Sequence, residues 1–173
     1  MIQRPDYINK LLKFKDIKII KILVGIRRCG KSTVLAMFKN LLMEEYKISS
    51  DNIFQMNYAT NELEVNYNAQ DMYKEIKSAI QDKGHCYLLL DEVQEIDGWE
   101  KVVNSLFENF DVDIYITGSN SKLLASEIST YLSGRFIQIN IFTLSFKEFK
   151  EFKNNQKLSN DELFKQYLLY GGF

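Results

Sequence analysis

The chain has one proline, two cysteines and a net charge of −1 from 22 basic and 23 acidic residues. So little proline leaves no room for a low-complexity tract or a proline-rich linker, and no internal repeat is visible. Cys29 and Cys86 are far apart and lack CxxC spacing. They read as reduced thiols of a cytosolic protein, not as a disulfide or a zinc pair. No stretch reaches the roughly 18 apolar residues of a membrane span, and the N-terminus has no signal-peptide core. The expectation is a soluble, cytoplasmic protein with no membrane partner. A balanced charge gives no global field to recruit nucleic acid. What the chain does have is 46% hydrophobic residues, with 12 Phe and 10 Tyr in 173 residues. That is enough for the core of one domain of ordinary size.

The most informative stretch is IIKILVGIRRCGKST, residues 19–33. A β-branched apolar run feeds Gly25, and GxxxxGK followed by Ser32 and Thr33 is a complete phosphate-binding loop between a strand and a helix. Gly25 and Gly30 let the backbone curl so that the amides of Ile26, Arg27, Arg28, Cys29 and Gly30 point into one concavity. The helix opening at Lys31 adds the positive end of its dipole. Lys31 suits the β- and γ-phosphates, and the Ser32 hydroxyl suits Mg²⁺. The amphipathic run that follows (Val34, Leu35, Phe38, Leu41, Leu42) supplies the helical context the loop needs.

The second anchor is CYLLLDE, residues 86–92. A continuous apolar run is the pattern of a buried parallel strand, and acids at its carboxyl end fall where open α/β sheets bind ligands. Asp91 is then placed to hold Mg²⁺ beside Ser32, and Glu92 to act as general base on a water attacking the γ-phosphate.

The remaining elements are read from periodicity and turn signals. Helices are expected near 5–14, 31–46, 70–83 and 99–110, strands at 53–58, 113–117 and 136–142, a short helix from about 121, and helical character from Leu144 onward. The first helix reads as packing, with an adenine-side wall as the alternative, and Trp99 as a packing anchor. After the fourth strand, Ser119 and Asn120 either orient the attacking water or form a turn and helix cap. Arg135, just before the fifth strand, either stabilises charge on the γ-phosphate or makes a surface ion pair, which spacing alone favours.

RPDY, GIRRCGKST, LLLDEVQEIDGWE, ITGSNSKLL, YLSGRF, LSFKEF and YGGF occur in that order along the chain. With these motifs the chain resembles the predicted AAA+-superfamily ATPases of bacteria and archaea, in which an N-terminal P-loop domain precedes helical elements and a C-terminal, often nuclease-like, domain. The resemblance implies a three-layer α/β/α P-loop NTPase fold with a parallel five-stranded sheet ordered 5-1-4-3-2. It implies that Lys31 and Ser32 are the Walker A contacts, Asp91 and Glu92 the Walker B pair, Ser119 or Asn120 the first sensor, and Arg135 the arginine finger. The ATPase domain is expected over 1–143, with 1–17 as a helical lead-in, and 144–173 as the start of a helical region cut from a longer chain.

The leading expectation is Mg²⁺-dependent ATP hydrolysis coupled to conformational change, with ATP and ADP as partners and homo-oligomerisation open. The alternative is a nucleotide-gated switch with little hydrolysis. A small-molecule kinase fits less well, because the acid pair suits a hydrolytic water and no arginine-rich lid is evident. Nucleic acid or a protein partner is not expected through this stretch alone. No NKxD guanine-reading motif is present.

Overall fold

Apolar runs decide where the strands lie, and their pairing decides everything else. The computed structural model describes residues 4–60, 66–119, 132–153 and 158–172. Its strands are β1 (Ile20–Val24), β2 (Ile53–Asn57), β3 (Cys86–Asp91), β4 (Val112–Gly118) and β5 (Phe136–Asn140). All pair in parallel, in the order β2-β3-β4-β1-β5, the expected order read from the other edge. Parallel neighbours need crossovers, which α1 (Pro5–Lys13), α2 (Lys31–Glu44), α3 (Ala69–Ile80) and α4 (Trp99–Asn109) accompany on the two faces.

Alternate strand residues divide the core. Ile22, Leu88, Leu90, Ile114 and Ile116 pack with Met72 and Ile76 of α3 and Val103 and Leu106 of α4. Leu23, Leu89, Tyr115 and Ile139 face Leu11 of α1 and Val34, Leu35, Phe38 and Leu42 of α2. With both faces covered, β1, β3 and β4 are buried at every residue, which is why they read as largely apolar runs.

Two of the elements that end short of the sequence expectation do so for a visible reason. The third helix ends at Ile80, because Gln81 is extended (ψ 139°) and Asp82 takes a left-handed φ of 62°, leaving Gly84 two residues beyond the break. β5 stops at Asn140: the Ile141 amide still donates to the Val24 carbonyl at 2.7 Å, but the carbonyls of Phe142 and Thr143 accept from Arg4. The helix expected from about 121 lies outside the described residues.

Lys21, within the apolar run of β1, is fully buried and ion-paired with buried Asp113. Its ammonium also donates to the Ile17 carbonyl at 2.8 Å. Asp113 accepts from the Tyr115 hydroxyl at 2.8 Å and from the Asp16 amide at 2.9 Å. Tyr87 donates to Asp16 at 2.6 Å, so the network ties the lead-in segment to the amino ends of β1, β3 and β4. Burial pulls the Lys21 pKa down despite Asp113, and burial, reinforced by Asp113, pushes the Tyr115 phenol up.

Beyond β5, α5 (Phe146–Phe152) and α6 (Asn160–Tyr170) each start with a complete capping box, Ser145 with Glu148 and Ser159 with Glu162. Phe146 and Phe149 stack against Phe164 and Tyr167 with ring centroids 5.2–5.5 Å apart. The pair closes on Leu144, whose amide donates to the Gly172 carbonyl at 2.8 Å and whose carbonyl accepts from Tyr167 at 2.9 Å. A Cβ on Gly172 would lie 2.1 Å from the Leu144 oxygen, so only glycine fits there. No described helix is long and apolar enough to cross a membrane.

The buried ion pair generates a stability prediction. Asp113→Asn should cost about 3 kcal/mol in urea unfolding, because it leaves a buried ammonium without its counter-charge. Adding Lys21→Met should recover most of the loss, and an Asp113→Asn protein as stable as the parent would refute the pairing as the cause.

Candidate functional site

Register brings the two anchors together. Leu23 pairs with Thr117, Val24 with Gly118, and Leu90 with Ile116, so the carboxyl ends of β1, β4 and β3 lie side by side. The loop of residues 25–30 leaves β1 there and enters α2 at Lys31. Gly30 caps α2 in a left-handed conformation (φ 97°) that favours glycine. Gly25 is needed for a different reason: a Cβ there would come within 2.4 Å of the Ile141 carbonyl oxygen and 2.6 Å of the Cys29 sulfur. Ile26, Arg27 and Arg28 are exposed, as are Ser32 and Thr33, while Cys29 is buried. Burial raises the pKa of the Cys29 thiol.

Lys31 is 3% exposed, and its ammonium contacts the carbonyls of Gly25 and Ile26, each at 3.3 Å. It also lies 3.3 Å from a carboxylate oxygen of Glu92. The lysine of the loop and the acid that follows β3 are thus in contact. The other Glu92 oxygen accepts from Gln94 Nε2 at 2.6 Å. Glu92 itself is left-handed (φ 54°, ψ 45°), an unusual backbone for a residue with a side chain.

Thr117 stabilises that turn. Its hydroxyl, fully buried, donates to Asp91 Oδ1 and accepts the Glu92 amide at 3.0 Å. Asp91 is 4% exposed at the end of β3. One hydroxyl on β4 therefore holds the Asp91 carboxylate and the backbone of Glu92. Ser119 directly follows Gly118, which pairs with Val24 at the end of β1. Asn120 lies outside the described residues. A cavity of about 320 Å³ adjoins the loop on the β5 side, lined by Val24, Gly25, Ile26 and residues 140–143.

Arg135 is not brought into this site. It precedes β5, and its carbonyl accepts from the Ile20 amide at the amino end of β1, a strand length of roughly 15 Å from the loop. Its guanidinium donates to Asn104 and Glu108 of α4, both at 2.5 Å. Within its own chain Arg135 thus makes a surface ion pair and does not reach its own loop.

Three participants escaped the sequence reading. Thr117 is polar within an apolar strand. Gln94 lies just past the acids. Arg4, 3% exposed, donates to the Cys29 carbonyl of the loop at 3.0 Å. A polar residue inside a buried strand next to an acid pair is the signal that could have found Thr117; Arg4 is marked as the first residue of the RPDY motif, which carries no role for it.

A family model described as an AAA domain, AAA_14, matches residues 18–150. A Haemophilus influenzae protein described as uncharacterized is 42% identical over all of this chain, which covers 44% of the relative. The uncharacterized protein MJ1544 of Methanocaldococcus jannaschii is 35% identical over 99% of this chain and 39% of its own length. The chain thus spans less than half of either relative. Among solved structures, the Saccharomyces cerevisiae Hsp104–ADP complex is similar in fold, with TM-score 0.73 at 14% identity over 99% of this chain and 29% of that one. A DNA replication initiation factor gives TM-score 0.57 at 17% identity over 96% and 60%.

Thr117→Val, nearly isosteric, removes the hydroxyl that serves Asp91 and the Glu92 amide. It should lower unfolding stability by about 2 kcal/mol and speed amide exchange at Glu92, with Thr117→Ser retaining both properties. Unchanged exchange at Glu92 in the valine variant would show that Thr117 does not hold the turn.

Proposed function

The chain belongs to the AAA_14 family of AAA domains, and from that premise we propose that it is a Mg²⁺-dependent ATPase domain whose nucleotide state drives a conformational change. The observation that carries the reading is the convergence of buried Lys31 and Asp91 with half-buried Glu92 at the carboxyl edge of the sheet, beside a glycine-cornered loop that opens a helix.

The residues fit such a ligand. The loop amides and the start of α2 suit phosphate oxygens. The Ser32 hydroxyl and the Asp91 carboxylate are hard oxygen donors of the kind Mg²⁺ takes. Mg²⁺ held between them would neutralise charge on the β- and γ-phosphates. Lys31 binds the same phosphates, exchanging the carbonyls of Gly25 and Ile26 for stronger acceptors. Glu92 takes the proton of the attacking water, its carboxylate aimed by the left-handed turn, the Thr117 hydroxyl and Gln94. Ser119 and Asn120 are assigned to hydrogen-bond that water or the γ-phosphate.

Arg135 enters only across an interface. Its side chain is 42% exposed and far from its own loop, which supports a role toward the site of a second copy. Turnover per chain should then rise with protein concentration.

The test is steady-state ATP hydrolysis with Mg²⁺ over a range of protein concentrations, alongside calorimetric binding. Lys31→Ala should weaken ATP binding roughly 10- to 100-fold, from loss of charge-assisted contacts. Glu92→Gln should bind normally and lose about 10²–10⁴-fold in turnover. Normal ATP affinity in Lys31→Ala would overturn the site, full activity in Glu92→Gln would remove it as the base, and binding without turnover in the parent chain would make it a nucleotide-gated switch.

A further inference from the structure

We infer that Arg4 is a positioning residue of the phosphate loop, oriented by Glu148 of α5, so that nucleotide affinity and the placement of α5 are thermodynamically linked. The inference rests on the reading of residues 25–33 as a nucleotide site.

Arg4 joins three segments far apart in sequence. Nε–H donates to Glu148 Oε1 at 2.8 Å, one terminal nitrogen to the Cys29 carbonyl at 3.0 Å, and the other to the carbonyls of Phe142 at 2.9 Å and Thr143 at 3.5 Å. The guanidinium also lies over the Tyr7 ring, 4.4 Å from its centroid, and the Tyr7 hydroxyl accepts the Phe142 amide at 3.2 Å. A planar, forked cation is the side chain suited to fixing several carbonyls at once, and a lysine could not reproduce the set.

The contact with Cys29 has a chemical consequence. In a trans peptide the C=O and N–H point in opposite directions. A cation holding the Cys29 carbonyl therefore turns the Gly30 N–H away from Arg4 and polarises it, making it a better donor to an anion. Space is tight as well, since a Cβ on Gly30 would sit 3.4 Å from Arg4 Nη1. Arg4 thus sets one peptide plane of the cradle without facing the cradle itself.

Glu148 sets Arg4 in turn. Its second oxygen accepts the Ser145 amide at 2.7 Å and hydroxyl at 2.8 Å, so one carboxylate both caps α5 and anchors the guanidinium. Burial raises the Glu148 pKa, but Arg4 and Ser145 outweigh it and leave the carboxyl below its usual range. The ion pair is charged at neutral pH. Any tilt of α5 is felt at the Cys29–Gly30 peptide, and by reciprocity a ligand that tightens that peptide restrains α5.

The test is a double-mutant cycle read by calorimetric ATP titration of the full chain. Glu148→Gln should weaken ATP about five-fold, although Glu148 contacts Arg4 and its own cap and not the loop. Arg4→Gln should weaken it further, and the double variant should bind no worse than Arg4→Gln alone. ATP should slow amide exchange over residues 146–152 in the parent and leave it unchanged in Arg4→Gln. If Arg4→Gln fails to fold, Arg4→Lys takes its place. Parent-like affinity in Glu148→Gln, or losses that simply multiply in the double variant, would overturn the linkage. If the parent chain binds no nucleotide, the ATP reading fails by itself. Amide exchange at Gly30 and Lys31 without nucleotide then decides: acceleration by Glu148→Gln supports the linkage, and no change overturns it.

Discussion

Parallel pairing of β1 with β4 and of β4 with β3 is the constraint on which the rest of the molecule depends. The ladder pairs Leu23 with Thr117, Val24 with Gly118 and Ile116 with Leu90, and the Thr117 hydroxyl then reaches Asp91 and the Glu92 amide at the end of β3. Val24 and Asp91, the ends of β1 and β3 and 67 positions apart in the chain, become near neighbours through one intervening strand. A one-residue slip of β4 would turn Thr117 to the other face of the sheet and separate it from both acids. The geometry of the site is therefore as secure as the hydrophobic packing on both sides of the sheet, and needs no long loop to hold it.

The same packing explains why charge is confined to the sheet ends. Both faces are covered, so polar groups within the strands must find partners inside the protein. At the carboxyl edge Lys31 meets Glu92 and backbone carbonyls, and Asp91 meets Thr117. At the amino edge Lys21 meets Asp113, which also receives Tyr115 and the Asp16 amide. The two edges use similar groups for different ends. One presents its groups to a loop of exposed residues, and the other spends them tying the segment before β1 to the sheet.

Much of this was legible in the sequence. The strands of the buried sheet announce themselves as apolar runs, and the loop spacing and the acid pair at the end of β3 stand out in the sequence before any tertiary neighbour is known. What escaped was whatever depends on tertiary neighbours. Lys21 is a single charge in a run that still reads as a strand, and its burial depends on Asp113, 92 residues away. Arg4 precedes an ordinary helix start, and its partners come from the loop, the chain after β5 and α5. The left-handed turn at Glu92 has no composition signal, because it is held by a hydroxyl on another strand. Arg135 was ambiguous for the same reason: spacing fixed its position before β5 but not the direction of its side chain, which Glu108 and Asn104 decide.

The closure of α5 and α6 on Leu144 has a mechanical meaning. The strand-side entry to the pair and the residue that ends it meet at one point, where Gly172 lies against the Leu144 backbone too closely for any side chain. The pair is held at two points, at Leu144 and through the Glu148–Arg4 ion pair, and both lie within a few residues of Phe142 and the chain that crosses Gly25. The helices after β5 are therefore fastened to the molecule next to the loop and not at a distance from it.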